Sequence, residues 1–282
     1  MFKSPPRFYG HKSIVEDGNF VLYDKILNKT GDDISLFHRH CPHRMYPMHK
    51  VGEHVKNIFC DFHGFEWDQT GKPLNNNRNI HCGKLNVGKS GLLFKNFQEP
   101  NHKWVDDLAS EKNLKYSHSR FGTSKGSWLW MMEIQADLLH IRRGEKAVHP
   151  SLSEITELDD TDLFEGENWI LQTCSTGWWL FVYPYTFVEY SKGCVAVNFT
   201  TPHDENNEFG FDWITQFYFD ESVDQAKRDE FEFYIEPVFI EDVKAIEKQK
   251  GPWFPIINPH NRLENHCVHY GEWVRKNKNA GI

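Results

Sequence analysis

The sequence predicts an α+β protein built in two parts, an all-β module over residues 1–97 followed by a larger domain, residues 98–282, that joins an antiparallel sheet to helices. Three observations carry this. Before Phe97 the apolar residues come in short alternating runs separated by turn residues. Residues 98–126 are polar and irregular. Beyond Trp128 a helical apolar period and alternating aromatic strands occur in the same stretch of chain.

In the first part, FVLYDKILN and DDISLF read as short strands broken by the turn at Lys29-Thr30-Gly31-Asp32, and NIFCDF, GFEWDQTGKPL and GLLFKNF follow in the same manner. Residues 98–126, with Pro100, Asn101 and KYSHSRFGTSKGS, read as a connector holding at most one short helix. Trp128 to Ile141 has helical periodicity. Residues 178–220 return to aromatic strands such as WWLFVYPYTFVEY, VAVNFTT and FGFDWITQFYF. A charged helix is expected from Val223 to Lys250, stopped by Gly251-Pro252.

A chain of 282 residues can bury a sizeable core in one or two domains. Its formal charge of −8 argues against a broad nucleic-acid surface and suits a redox partner that docks through a basic patch. The start MFKSPPRF lacks the apolar core of a signal peptide, and no run of about 18 apolar residues is present, so a cytoplasmic protein without a membrane partner is expected. Six cysteines, Cys41, Cys60, Cys82, Cys174, Cys194 and Cys267, are too scattered for a disulfide framework.

Two of them sit close to histidines. Cys41-Pro42-His43-Arg44 is followed by Cys60-Asp61-Phe62-His63-Gly64, with sixteen residues between His43 and Cys60, so each of two loops offers one thiol and one imidazole. Two thiolates can hold one iron of a 2Fe-2S cluster while two neutral imidazoles hold the other, which lowers the cluster's negative charge and raises its potential. Gly64 lets the chain turn behind His63, and Gln69-Thr70-Gly71 forms a turn that fixes the second loop. A structural zinc site accepts the same ligand types, but zinc fingers usually place both cysteines before both histidines. His38, His40 and His49 read as surface or supporting groups.

The segments CPHRM and CDFHGFEWDQTGKPL resemble the Rieske family, which implies a 2Fe-2S cluster on Cys41, His43, Cys60 and His63. A Rieske module alone is an electron carrier, so the second domain decides the function. In WLWMMEIQADLLHI, Glu133, Asp137 and His140 fall on one helical stripe with Trp130, Ile134 and Ile141. Burying an unpaired carboxylate costs several kcal/mol unless hydrogen bonds, a counter-charge or a metal compensate. A ferrous ion would compensate, and so would a buried Asp137–His140 pair.

The longer stretch SWLWMMEIQADLLHIRRGEKAVHPSL is similar to the α subunits of Rieske non-haem iron oxygenases. That resemblance implies a helix-grip, START-like catalytic domain, a mononuclear Fe(II) held by His140 and His149, and an Asp137 that links an iron ligand to a cluster histidine of the neighbouring subunit. Family members set the two histidines closer together than the eight residues, Ile141 to Val148, that intervene here, which leaves Glu145 as the alternative at the usual spacing. A third ligand completes the two-histidine, one-carboxylate triad with open positions for oxygen. In FIEDVKAIEKQKG helical geometry turns Asp242 toward Phe239, Val243 and Ile246 and Glu241 away, and the family carries its ligand aspartate in a similar helix.

The resemblance implies an oxygenase fed by a ferredoxin or flavin reductase, assembled as a homotrimer. It would hydroxylate, dihydroxylate or oxidatively demethylate a small aromatic or quaternary-ammonium substrate, which makes Asp137 part of the catalytic machinery. Trp178, Trp179, Phe181, Tyr183, Tyr185 and Phe187 could cage an ammonium group, line an aromatic pocket, or be plain core. The alternative is a Rieske electron-transfer protein without oxygenase activity.

Overall fold

The computed structural model describes residues 7–15, 18–22, 24–89, 91–95, 114–137, 140, 162–175, 177–203, 207–256, 259 and 264–278. The first part of the chain is β throughout: β1 (Arg7–His11), a 3-10 turn at Lys12–Val15, β2 (Asn19–Leu22), β3 (Lys25–Thr30), β4 (Asp33–His38), β5 (His54–Val55), β6 (Ile58–Cys60), β7 (Phe65–Trp67), β8 (His81–Lys84), β9 (Asn86–Val87) and β10 (Leu92–Lys95). The expected run FVLYDKILN is a hairpin, β2 and β3, with Leu22 opposite Lys25. Among the described residues these strands form a five-stranded sheet ordered β5-β2-β3-β4-β8, a three-stranded sheet β1-β10-β9, and a small hairpin of β6 and β7. Val21, Ile26 and Phe37 close the core between them, with Ile58, Trp67 and Ile80.

The turn expected after Trp67 is present and heavily braced. Asp68 Oδ1 accepts hydrogen bonds from the backbone N–H groups of Thr70 (2.7 Å) and Lys72 (3.0 Å) and from the Thr70 hydroxyl (2.7 Å), which hold its carboxyl below the usual range. Gly71 follows in the left-handed region, φ +78°, where a Cβ would lie 3.0 Å from the His81 nitrogen and 3.2 Å from the Phe37 ring. Both strain and crowding oppose a side chain there. Gly71→Ala is therefore expected to cost about 1–3 kcal/mol of stability, read as a lowered melting temperature together with reduced cluster retention.

The second part contains β11 (Leu114–Ser127), α1 (Trp128–Ala136), β12 (Asp162–Gly166), β13 (Trp169–Thr173), β14 (Trp178–Val182), β15 (Thr186–Ser191), β16 (Cys194–Pro202), β17 (Phe209–Asp220), α2 (Gln225–Lys248) and α3 (Asn265–Lys278). From β12 to β17 the strands run as an antiparallel meander, and β11 adds at the far edge beside β17. The three helices bury one face of this sheet. Trp128 and Met132 of α1, Phe239, Val243 and Ile246 of α2, and Tyr270 and Trp273 of α3 share a core with Ile170, Phe181, Phe187 and Phe211 of the strands.

Three expectations change here. The connector expected up to residue 126 contains the long edge strand β11. It lacks apolar alternation because polar side chains tie it to α2: His118 lies 3.3 Å from Glu232, Arg120 3.3 Å from Glu236, and the Ser124 hydroxyl donates to Glu247 at 2.9 Å. WWLFVYPYTFVEY is a hairpin rather than one strand, with Val182 opposite Thr186. Helix α1 ends at Ala136, because Asp137 takes an extended conformation, φ −87° and ψ 90°, as its C-cap. The chain divides into two compact units, Phe8–Tyr116 and Ser117–Ile282, the latter with Met1–Arg7. The boundary expected at Phe97 lies outside the described residues. No described helix is long and apolar enough to cross a membrane.

Candidate metal centres

In the first unit the two motif loops have the same build. Cys41 follows β4 and Cys60 ends β6, and each cysteine carbonyl accepts a 2.8 Å hydrogen bond from the backbone N–H four residues on, Met45 or Gly64. Both of those residues have positive φ, +55° and +69°. A Cβ on Gly64 would meet nothing within 4 Å, so glycine serves the turn there and not a close approach.

The loops bring the four predicted residues together as two pairs. Cys41 and Cys60 are each 1% exposed and belong to the apolar core, where their thiols contact one another. Burial pushes the Cys60 thiol up, while the backbone N–H groups of Phe62 and His63 point at its sulfur and act in the opposite sense, as donors to a thiolate would. Asn77 Nδ2 reaches Cys41 Sγ at 3.7 Å.

His43 and His63 stand exposed at the tip, with their Nδ1 atoms 3.2 Å apart. A thiol pair beside an imidazole pair is the donor set of a two-iron cluster with one iron for each pair, and the residues fit it. Half-buried His49 accepts the Phe59 backbone N–H at 3.4 Å, a supporting contact on the strand that leads to Cys60.

In the second unit His140 and Asp242, far apart in sequence, meet on the helix-covered side. Their side chains are 10% and 6% exposed, with His140 Nε2 3.4 Å from Asp242 Oδ1. Asp242 faces inward beside Phe239, Val243 and Ile246, as helical geometry requires, and Glu241 is half-exposed. His140 Nδ1 is hydrogen-bonded to the carbonyl oxygen of Asp137, which leaves Nε2 as the nitrogen turned to Asp242. An imidazole nitrogen and a carboxylate oxygen meeting in a buried place are suitable donors for ferrous iron. His149, the Ile141–Val148 spacer and Glu145 lie outside the described residues.

Glu133, expected on the same stripe, is elsewhere. It is 2% exposed and accepts the Trp253 indole N–H at 2.6 Å. Burial pushes its carboxyl up to about 8, the Trp253 bond opposes this, and Asp137 and Glu264 add to it. The unfolded chain, with an ordinary carboxyl near 4.5, gives up that proton first, so Glu133 makes stability fall as pH rises from about 4.5 to about 8. Glu133→Gln is expected to flatten the decline of melting temperature between pH 6 and 8, and an unchanged slope would refute this source for it.

The sequence reading passed over four residues on the covered face: Gln172, Glu189, Asn198 and Thr215. Each occupies the inward phase of its strand, in register with Ile170, Phe187, Ala196 and Phe217 respectively, so a polar residue at an apolar phase was the available signal. Asn198 donates to Glu189 at 3.1 Å and accepts from the Thr215 hydroxyl at 2.5 Å. Of the aromatic residues singled out beforehand, Phe181 and Phe187 belong to the covered core together with Tyr183 and Tyr185, and Trp179 packs against it. Trp178 points to the opposite face, where it stacks on Tyr190.

Residues 10–84 match the family model for the Rieske [2Fe-2S] domain. No curated protein matches the sequence. Among solved structures, the quaternary ammonium Rieske monooxygenase CntA in complex with L-carnitine superposes with a TM-score of 0.68 at 16% identity, over 96% of this chain and 88% of that one. Dicamba monooxygenase bound to dicamba gives a TM-score of 0.59 at 12% identity, covering 99% and 98% of the two chains. NdmA of Pseudomonas putida CBB5 gives 0.58 at 15%, covering 99% and 91%. At these identities the likeness is one of fold.

Proposed function

We propose, from the premise that this chain joins a Rieske domain to the fold of the Rieske monooxygenases, that it is the oxygenase component of a Rieske non-haem iron enzyme. It would use dioxygen and electrons from a ferredoxin or flavin reductase to oxidise a small organic substrate. The observation that carries this reading is that one chain holds two separate donor sets, the Cys41/Cys60 and His43/His63 pairs and the buried His140–Asp242 contact. An electron-transfer protein needs only the first.

When both centres are loaded, the cluster supplies electrons and the ferrous ion supplies the place where dioxygen is reduced. The chain's part is to hold donors and protons in place. Cys41 and Cys60 would hold one cluster iron in the apolar core, and His43 and His63 the other at the exposed tip. His140, through Nε2, and Asp242 would hold the ferrous ion with His149 as the remaining ligand. The Asp137 carbonyl keeps His140 Nδ1 occupied, which selects the nitrogen left for the metal.

Asp137 is proposed as the link to a cluster histidine of a neighbouring subunit in a homotrimer. The exposed rim around His43 and His63 supports such docking: Met45 is 68% exposed, Phe62 is 54% exposed, and Tyr46 stacks on Phe62. A CntA structure is described in terms of inter-subunit electron transfer, which favours the same arrangement here. Size-exclusion chromatography with light scattering tests the trimer, and an active monomer would end that part of the proposal. Anaerobic reconstitution should yield a brown protein with about three irons per chain and substrate-dependent oxygen uptake. A colourless protein, or one that saturates at the cluster's two irons, would overturn the oxygenase reading.

A further inference from the structure

The covered face of the second unit's sheet carries a row of side chains that iron binding does not require. Direct cross-strand pairing sets Gln172 opposite Trp179, Trp179 opposite Glu189, and Glu189 opposite Ala196, which in turn faces Phe217. Gln172 is fully buried, yet neither its amide oxygen nor its amide nitrogen has a hydrogen-bond partner among the described residues. A buried amide left in that condition costs about 1–3 kcal/mol, a cost that a bound ligand removes.

The neighbouring carboxyl is held in a fixed attitude. Glu189 accepts hydrogen bonds from Asn198 Nδ2 at 3.1 Å and from the Trp179 side chain. Asn198 Oδ1 in turn accepts from the Thr215 hydroxyl. Two donors consume part of the carboxyl's acceptor capacity and leave the rest for a ligand. Trp179 and Glu189 are half-buried, while Phe181, Phe187, Ala196 and Phe217 around them are buried.

The one ionisable side chain of the row Gln172, Trp179, Glu189, Ala196 and Phe217 is the Glu189 carboxyl, so the row itself offers a ligand negative charge and no positive charge.

We propose that Gln172, Trp179 and Glu189 form the substrate-recognition subsite and that it takes a cationic nitrogen head group, a quaternary ammonium or a protonated amine. Glu189 supplies the counter-charge, the Trp179 ring supplies a π surface, and the Gln172 amide pairs with a polar group beside the cation. This rests on the oxygenase reading only in that the ligand is the substrate, since head-group binding needs no turnover.

Titration calorimetry on the iron-loaded, unreduced protein under anaerobic conditions tests it with choline, with benzyltrimethylammonium, and with the uncharged tert-butyl isostere of choline. Choline or benzyltrimethylammonium is expected to bind at least about tenfold more tightly than the isostere. Glu189→Gln is expected to reduce that preference by about tenfold with visible spectrum and iron content unchanged. Glu189→Asp, a smaller perturbation of the fold, should keep the preference for the cation at lower affinity.

Equal binding of cation and isostere, no binding of either cation, or an undiminished preference in Glu189→Gln would overturn the subsite. None of those results touches the oxygenase reading, which stands or falls on oxygen uptake screened across aromatic acids as well as methylammonium compounds.

Discussion

Replacing Asp242 by alanine is expected to lower the iron content from about three per chain to about two, to leave the brown colour intact, and to abolish substrate-dependent oxygen uptake. The physical basis is the position of this carboxylate, buried among Phe239, Val243 and Ile246 on α2 and 3.4 Å from His140 Nε2. Loss of the anionic member of a two-histidine, one-carboxylate set removes both charge neutralisation and a coordination position, and activity should fall by at least about a thousandfold.

Stability reports on the same assignment: ferrous iron should raise the melting temperature of wild type and leave that of Asp242→Ala unchanged. Retained turnover, or iron-dependent stabilisation of the variant, would sink the assignment of Asp242.

Cys60→Ser is expected to have the largest effect on the first unit. A serine oxygen is a poor replacement for a thiolate at a two-iron cluster, so the visible absorption should disappear and iron should fall to about one per chain. Stability should fall as well, because Cys60 lies in the apolar core beside Cys41 and the cluster would tie the loop after β4 to the loop after β6. Binding energy realised only in the folded state is folding energy, so the loss should amount to several kcal/mol. Thermal melting followed by far-ultraviolet circular dichroism and by cluster absorption reads both effects, and a brown Cys60→Ser protein would exclude Cys60 as a ligand.

These two residues were open to a reading of the sequence for different reasons. Cys60 belongs to a local pattern, a cysteine and a histidine within one turn, and two such loops imply a shared metal centre whatever the fold between them. Asp242 was readable because an α-helix converts spacing into direction, so that one member of the Glu241–Asp242 pair had to face Phe239 and Ile246. Periodicity failed where the elements were not regular or not apolar. Helix α1 stops at Ala136, so the stripe that grouped Glu133 with His140 does not exist, and Glu133 instead meets Trp253. The edge strand β11 is tied to α2 by polar and ionic pairs, and its sequence looked like a connector.

What the sequence determined by itself is chemistry with short range: the pairing of one thiol and one imidazole on each of two loops, the inward turn of Asp242, and the division into a β module and a mixed domain. Only the tertiary structure decided which residues from distant strands share a face. His140 meets Asp242 because α2 packs against the side of the sheet where α1 ends, and Gln172, Trp179 and Glu189 line up because three antiparallel strands have one register. Strand register depends on every turn in the meander at once, and a shift of one residue would send each of these side chains to the opposite face.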